Sequence, residues 1–157
     1  MSSLVLHVAA QTDTGLVRAH NEDAIALDVT HGIIALADGM GGYNAGEVAS
    51  RMAADGVVNY LRDAMQCMAE ADDQAKISDL RQLLVGAITK ANDNIRAAAL
   101  GEAHLHGMGT TLVAALFCDS KLVLAHLGDS RCYRLREGAF VQLTRDHSQV
   151  QEQVDAG

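Results

Sequence analysis

The period of the hydrophobic pattern changes twice along the chain, and this order constrains the fold most. Short runs typical of strands come first, at 4–10, 24–29 and 32–37, and the last two are separated by "THG" as in a β-hairpin. Two long stretches with apolar residues every three or four positions follow, and strand-type runs return at Gly109. Because βαβ units would alternate strands with helices, this order predicts an α+β fold, with a helical hairpin on an antiparallel sheet.

The two middle stretches predict amphipathic helices. The first runs from Asn44, a predicted N-cap, to about Ala69, and Glu47 completes a spacing like that of a capping box. Gly56 weakens this helix. The second follows "EADDQ" and reaches Gly101, a residue type suited to a helix C-cap. After it, "GTTLVAALFC", "KLVLAHLG", "RCYRLRE" and "AFVQLT" predict an antiparallel meander.

Composition limits the class of protein. The 157 residues are 49% hydrophobic and 20% charged, which is typical of one globular domain. A net charge of −8 with scattered basic residues argues against a nucleic-acid partner. No stretch approaches the roughly 20 apolar residues of a membrane span, and no signal peptide is recognisable. Three cysteines without a C-x-x-C pair favour reduced thiols over a zinc site, so we expect a cytoplasmic protein.

Three short motifs carry acidic residues at or near the ends of predicted strands. "VRAHNEDA" contains Arg18, Glu22 and Asp23, "ADGMGG" contains Asp38, and "HLGDSR" contains Asp129. Neighbouring carboxylates persist in water or beside a cation, and hard cations such as Mg²⁺ bind carboxylate and carbonyl oxygens. Glycine allows such a carbonyl to approach an ion. Each motif alone is also compatible with a solvated loop or an ordinary turn, so the spacing leaves both interpretations open.

Five motifs together resemble one family. "TGLVRAHNEDA", "ALADGMGGYNAGEVAS", "GMGTTLVAAL", "HLGDSRCYRL" and "LTRDHS" occur in the order and approximate spacing of the metal-dependent, protein phosphatase 2C-like enzymes. The chain looks like the bacterial, single-domain branch, from about residue 8 to its end. The resemblance implies a four-layer αββα sandwich, in which two antiparallel sheets pack face to face between helical hairpins.

The resemblance also implies a metal site. Asp38 would bridge two Mn²⁺ or Mg²⁺ ions, and the Gly39 carbonyl would complete the second of them. Glu22 and Asp23 would bind that second ion or hold its waters. Asp129 would serve a third, weaker metal site. The implied activity is hydrolysis of phosphoserine and phosphothreonine in proteins by a metal-activated water, without a phosphoenzyme.

Other implied roles concern the substrate. Arg18 would bind its phosphate, since the guanidinium fork matches phosphate oxygens. Met40 replaces a histidine that acts as general acid in some relatives, and a thioether donates no proton. Another group, or a metal-bound water, would then protonate the leaving group. His20 and His147 are interpreted as structural or surface residues. The implied partners are phosphorylated proteins and a Ser/Thr kinase of the same cell.

Family catalytic domains continue beyond the motifs found here, through a flap and two motifs that supply aspartates to the first metal ion. We therefore expect residues 1–157 to be the N-terminal portion of a catalytic domain. On that interpretation the first ion keeps only Asp38, and the chain alone is a weak phosphatase or none. Uncovered strand edges and apolar surface would favour dimerisation or exchange of elements. The alternative function is a non-catalytic metal- or phosphoprotein-binding module that retains half of a phosphatase site.

Overall fold

The computed structural model describes residues 5–41, 45–66, 73–118 and 120–156. Within these ranges the strands are β1 (Asp23–Asp28), β2 (Ile33–Met40), β3 (Gly109–Thr110), β4 (Leu112–Cys118), β5 (Lys121–Leu127), β6 (Tyr133–Arg136) and β7 (Ala139–Gln142). The helices are α1 (Ala45–Gln66), α2 (Asp73–Gly101) and α3 (Gln149–Ala156), and a single 3-10 turn spans Ala103–Leu105.

The main sheet is antiparallel and has five strands. Its order is β1-β2-β4-β5, and the short β3 pairs with the end of β2. The predicted first hairpin is confirmed, because β1 and β2 pair along their whole common length, from Asp23 opposite Asp38 to Asp28 opposite Ile33. β2 thus lies in the centre of the sheet, and its last four residues begin the "ADGMGG" motif.

One face of the sheet is covered by the helical hairpin that the sequence predicts. Alternate residues of β2 are fully buried beneath α1, and they are small or aliphatic: Ile33, Ala35 and Ala37. The facing side of α1 is also rich in alanine, which allows close approach of helix and sheet. α2 packs against α1, and a β-carbon on Gly56 would lie 3.7 Å from that of Ala91. The core is therefore aliphatic, as the 3% aromatic content suggests.

The other face of the sheet is apolar and partly exposed. We call it the outer face, and the register places these residues on it: Ile25, Leu27, Ile34, Leu36, Val113, Ala115, Phe117, Leu122 and Leu124. Leu36 is 38% exposed and Phe117 is 37% exposed. Asp23 and Asp38 lie on this same face, at the end of the sheet where β1 begins and β2 ends.

Two strand predictions were wrong in whole or in part. Residues 5–10 form no strand, and Val5 is 71% exposed, because a short apolar run becomes a strand only when a neighbour pairs with it. The predicted meander is interrupted after β5. There the chain turns at Gly128, whose φ is +91°, and β6 and β7 form a separate two-stranded sheet.

The helix bounds differ slightly from prediction. α2 begins at Asp73, inside the polar segment "EADDQ" that it was predicted to follow. The predicted N-cap Asn44 and the last predicted residues of the first helix, 67–69, lie outside the described residues. The eight-residue α3 was not predicted.

Candidate metal and phosphate site

Asp23 and Asp38 form the centre of the candidate site. They are directly opposed across the β1–β2 pair, so both side chains project from the outer face. The pKa of Asp38 is raised, first by partial removal of its carboxyl group from water, and then by the charge and hydrogen bonding of Asp23. Arg18 opposes this shift and Asp129 adds to it. The site therefore has an excess of negative charge that a cation would relieve.

Glu22 is held at the crossing of three chain segments. Its carbonyl accepts a hydrogen bond from the Gly39 N–H at 3.0 Å. A β-carbon on Gly39 would overlap the carbonyl oxygen of Gly46, and a β-carbon on Gly46 would lie 2.5 Å from Oε1 of Glu22. These two glycines therefore allow the start of α1 to approach the end of β2. Gly39 of the "DGMGG" motif thus has a packing role as well as the predicted permissive one.

Arg18 and Asp129 stand at the margins of the site. Arg18 lies 3.6 Å from Oε2 of Glu22, and its side chain is 68% exposed. Asp129 is exposed in the turn that follows β5. Both act on the centre through charge, since Arg18 lowers the pKa of Asp38 and Asp129 raises it. The guanidinium of Arg18 is thus accessible to an anion beside the acidic pair.

The predicted ligands converge only in part. Among the described residues, no group of three or more His, Cys, Asp or Glu side chains is close enough to hold a metal ion together. The structure brings Asp23 and Asp38 together, whereas Glu22 faces Arg18. All the candidate metal ligands offer hard oxygen atoms, and the two carboxylates of the acidic pair face each other across the β1–β2 pair. This chemistry fits Mg²⁺ or Mn²⁺ as the cation, held by an open rather than a closed set of ligands.

Other polar residues of the motifs have structural partners. Arg131 binds Asp146 through Nε and Nη2, which lowers the pKa of Asp146, so Arg131 is not positioned to bind substrate. The ring of His147 lies against that of His126, with centroids 4.5 Å apart and planes tilted by 31°, and its Nδ1 accepts from the Gly128 N–H. His20 is exposed.

Two features of the site concern residues outside the predicted metal set. Met40 is 67% exposed on the outer face, two residues beyond Asp38, where a thioether offers no proton to a leaving group. The hydroxyl groups of Thr110 and Thr111 bond to the backbone of Asp38, and that of Ser130 lies beside the Thr111 hydroxyl; all three were missed as functional candidates. Their signal was the "GTT" run at a strand start and the serine of "GDSR".

No helix in the described ranges is both long enough and apolar enough to cross a membrane.

A sequence model of the protein phosphatase 2C family matches residues 17–154. The chain belongs to the protein phosphatase 2C family. It is 44% identical over 155 residues to the serine/threonine protein phosphatase PstP of Mycobacterium tuberculosis, a match that covers 99% of this chain and 28% of PstP. It is 40% identical to the serine/threonine phosphatase stp of Listeria innocua, covering 97% of this chain and 59% of stp.

The fold agrees with this membership. A crystal structure of the PstP catalytic domain in complex with two manganese ions superimposes with a TM-score of 0.80 and 44% identity, covering 95% of this chain and 59% of that one. The predicted phosphatase 2C-like fold is therefore confirmed. The helical hairpin and the five-stranded sheet supply two adjacent layers of the sandwich. The chain spans less than two thirds of the length of these relatives.

Proposed function

We propose that residues 1–157 form the N-terminal portion of a metal-dependent protein serine/threonine phosphatase. The observation that carries this proposal is the directly opposed Asp23–Asp38 pair, with its raised Asp38 pKa, in a chain of the phosphatase 2C family. In the proposed reaction water supplies the oxygen that joins phosphorus. The ester bond to the serine or threonine oxygen breaks, and that oxygen leaves with a proton.

The proposed metal ligands are Asp38 as the bridging residue, with Asp23, Glu22 and the Gly39 carbonyl on one ion and Asp129 at a third site. When bound, two such ions lower the pKa of a coordinated water and hold the attacking and leaving oxygens in line. The acidic pair supports Mn²⁺ or Mg²⁺ alike, because both prefer oxygen ligands. Manganese is favoured by the PstP relative, whose structure holds two of these ions.

Arg18 is the proposed phosphate ligand. Its side chain is 68% exposed and contacts Glu22 loosely, so the guanidinium can turn to a substrate at small cost. No proton donor is assigned to the leaving group, since Met40 occupies the histidine position of some relatives. The proposed partners are cytoplasmic phosphoproteins, a Ser/Thr kinase that phosphorylates them, and a second copy of this chain against the exposed outer face.

A non-catalytic binding module is the second candidate function. It is favoured by one observation, that the described residues contain no group of three metal-ligating side chains. Such a module would bind a cation or a phosphoprotein at the acidic pair and Arg18 without hydrolysis. The short span of the chain relative to PstP and stp agrees with weak activity or none in isolation.

The test is release of phosphate from a phosphothreonine peptide, measured with Mn²⁺, with Mg²⁺ and with a chelator. The 157-residue chain would be compared with Asp38→Asn and with the control Asp93→Asn, an exposed aspartate on α2. A longer chain, which continues into whatever residues follow position 157 in the natural protein, is measured in parallel. We expect metal-dependent release from the longer chain, which Asp38→Asn abolishes and Asp93→Asn preserves, and weak release or none from the 157-residue chain. If neither the 157-residue chain nor the longer chain releases phosphate, the proposed phosphatase activity is refuted and the binding module is favoured.

A further inference from the structure

Thr111 makes an unusual backbone pairing with Asp38. The flanking pairs, Leu36 opposite Val113 and Gly39 opposite Thr110, place Thr111 directly opposite Asp38. The Thr111 N–H donates to the Asp38 carbonyl at 2.9 Å, as in a regular antiparallel pair. The Asp38 N–H, however, donates to Oγ1 of Thr111 at 3.0 Å. A side-chain hydroxyl therefore stands where a backbone carbonyl normally accepts.

Thr111 also contacts the residues on both sides of Asp129. Its Oγ1 lies 2.7 Å from Oγ of Ser130, close enough for a short hydrogen bond. Its methyl group packs on Gly128, because a β-carbon at that position would lie 2.7 Å from Cγ2 of Thr111. Gly128 itself has a φ of +91°, a conformation that favours glycine. One threonine side chain therefore joins the strand end that carries Asp38 to the turn that carries Asp129.

This contact holds two like charges near each other. Asp38 and Asp129 both carry carboxylates, and like charges repel when no cation lies between them. A neutral hydroxyl that bonds to the Asp38 backbone N–H and to the Ser130 hydroxyl opposes separation of the two segments without adding charge to the site. Groups that orient metal ligands in this way commonly affect metal affinity by about 10- to 100-fold.

We propose that Thr111 is a positioning residue that sets the spacing between Asp38 and Asp129. This rests on the proposed function, since both carboxylates are metal ligands only in that proposal. Thr111 touches no substrate. It acts through the Asp38 N–H and the Ser130 hydroxyl, and it prepares the two carboxylates for a shared set of cations before these arrive.

The test compares Thr111→Val with Thr111→Ser in the 157-residue chain. Valine keeps the methyl packing on Gly128 and loses the hydroxyl, whereas serine keeps the hydroxyl and loses the methyl. Mn²⁺ affinity is measured by calorimetric titration, and circular dichroism reports folding without metal. We expect a loss of about 10-fold or more for Thr111→Val and a change within about 3-fold for Thr111→Ser. Equal affinities for wild type and Thr111→Val, or equal losses for both variants, would overturn the proposal.

A second variant and a second readout separate this proposal from the proposed function. Ser130→Ala removes only the hydrogen bond between Thr111 and the turn that carries Asp129. We expect it to lose less Mn²⁺ affinity than Thr111→Val. If Thr111→Val does not fold, Ser130→Ala is tested in its place. Amide shifts of Asp38 and Asp129, recorded by NMR without metal, should both move in Ser130→Ala. If neither the 157-residue chain nor the longer chain that contains it binds Mn²⁺, the proposed function fails. Unmoved Asp38 and Asp129 amides would instead refute the bridge itself.

Discussion

Gly46, at the start of α1, lies against the carboxylate of Glu22, and a β-carbon at this position would come within 2.5 Å of Oε1. The Glu22 carboxylate can therefore lie beside the Asp23–Asp38 pair only because the helix has a glycine, without a β-carbon, at position 46. The contact between Gly46 and Glu22 therefore both packs α1 against the end of β2 and positions an acidic side chain of the site.

We predict that Gly46→Ala displaces the Glu22 carboxylate. The variant should lose about 1–3 kcal/mol of unfolding free energy through overpacking, and its Mn²⁺ affinity should fall. The matched control is Gly101→Ala in α2, where a β-carbon meets nothing within 4 Å. That control should be neutral, or more stable by up to about 1 kcal/mol. Chemical denaturation and calorimetry measure both quantities, and a Gly46→Ala chain that matches wild type in both would contradict the prediction.

Asp23→Asn should change stability and metal binding in opposite directions. Directly opposed like charges cost about 0.2–1 kcal/mol, so the variant should be more stable than wild type at pH 7 without metal. The pKa of Asp38 should move down toward its usual value, because Asp23 raises it. Mn²⁺ affinity should fall, since one carboxylate is lost. Thermal melts with and without Mn²⁺ decide this, and destabilisation in both conditions would assign Asp23 a structural role instead.

Arg62 should stabilise the chain in a pH-dependent way through Asp28. Oδ2 of Asp28 accepts from Nε of Arg62 at 2.6 Å and contacts His31, and the carboxyl side chain is only 11% exposed. The Arg62 hydrogen bond lowers the pKa of Asp28 to about 2. This stabilisation is therefore fully present above about pH 4 and is lost as the pH falls toward 2.

The corresponding variant is Arg62→Ala. It should lose about 1.5–3 kcal/mol at pH 7, and the difference from wild type should shrink as the pH falls from 4 to 2. Urea denaturation across this range measures the effect. The exposed Arg96 on α2 provides the control for loss of one positive charge, as Arg96→Ala. A difference between Arg62→Ala and wild type that is independent of pH would show that lost packing, not the ion pair, is responsible.

The outer face should cause the 157-residue chain to associate. Leu36 and Phe117 are each more than a third exposed on it. We expect light scattering to give a mass above 16.6 kDa, and Leu36→Thr with Phe117→Thr to lower it. Leu135→Thr removes apolar surface from the separate β6–β7 sheet, where Leu135 is 71% exposed, and should leave the mass unchanged. A monomeric wild-type chain with a cooperative melt would refute this expectation.

Local pattern was sufficient to predict much of the fold. The β1–β2 hairpin and the two long helices follow from periods that lie within about 30 neighbouring residues, and the structure confirms them. The run at 4–10 has the same local character as β1, yet residues 5–10 find no strand to pair with. Whether a short apolar run forms a strand depends on whether another strand pairs with it, so the sequence of the run alone does not decide this.

The acidic residues of the candidate site could be proposed from the sequence, whereas the residues that hold them in position could not. Asp38 stands out because a carboxylate follows an apolar run and precedes glycines. Thr111 does not stand out, because its bond to the Asp38 N–H spans 73 positions and replaces a regular ladder bond. The roles of Gly39 and Gly46 likewise depend on how α1 crosses β2, which no local pattern specifies.

The most direct test of the account is a titration of the 157-residue chain with Mn²⁺, followed by the electron paramagnetic resonance of the free ion. Wild type, Asp38→Asn and the surface control Asp93→Asn are compared at pH 7. The account predicts saturable binding that Asp93→Asn retains and that Asp38→Asn weakens by at least about 10-fold. Equal binding by wild type and Asp38→Asn, or no binding by any of the three, would contradict it.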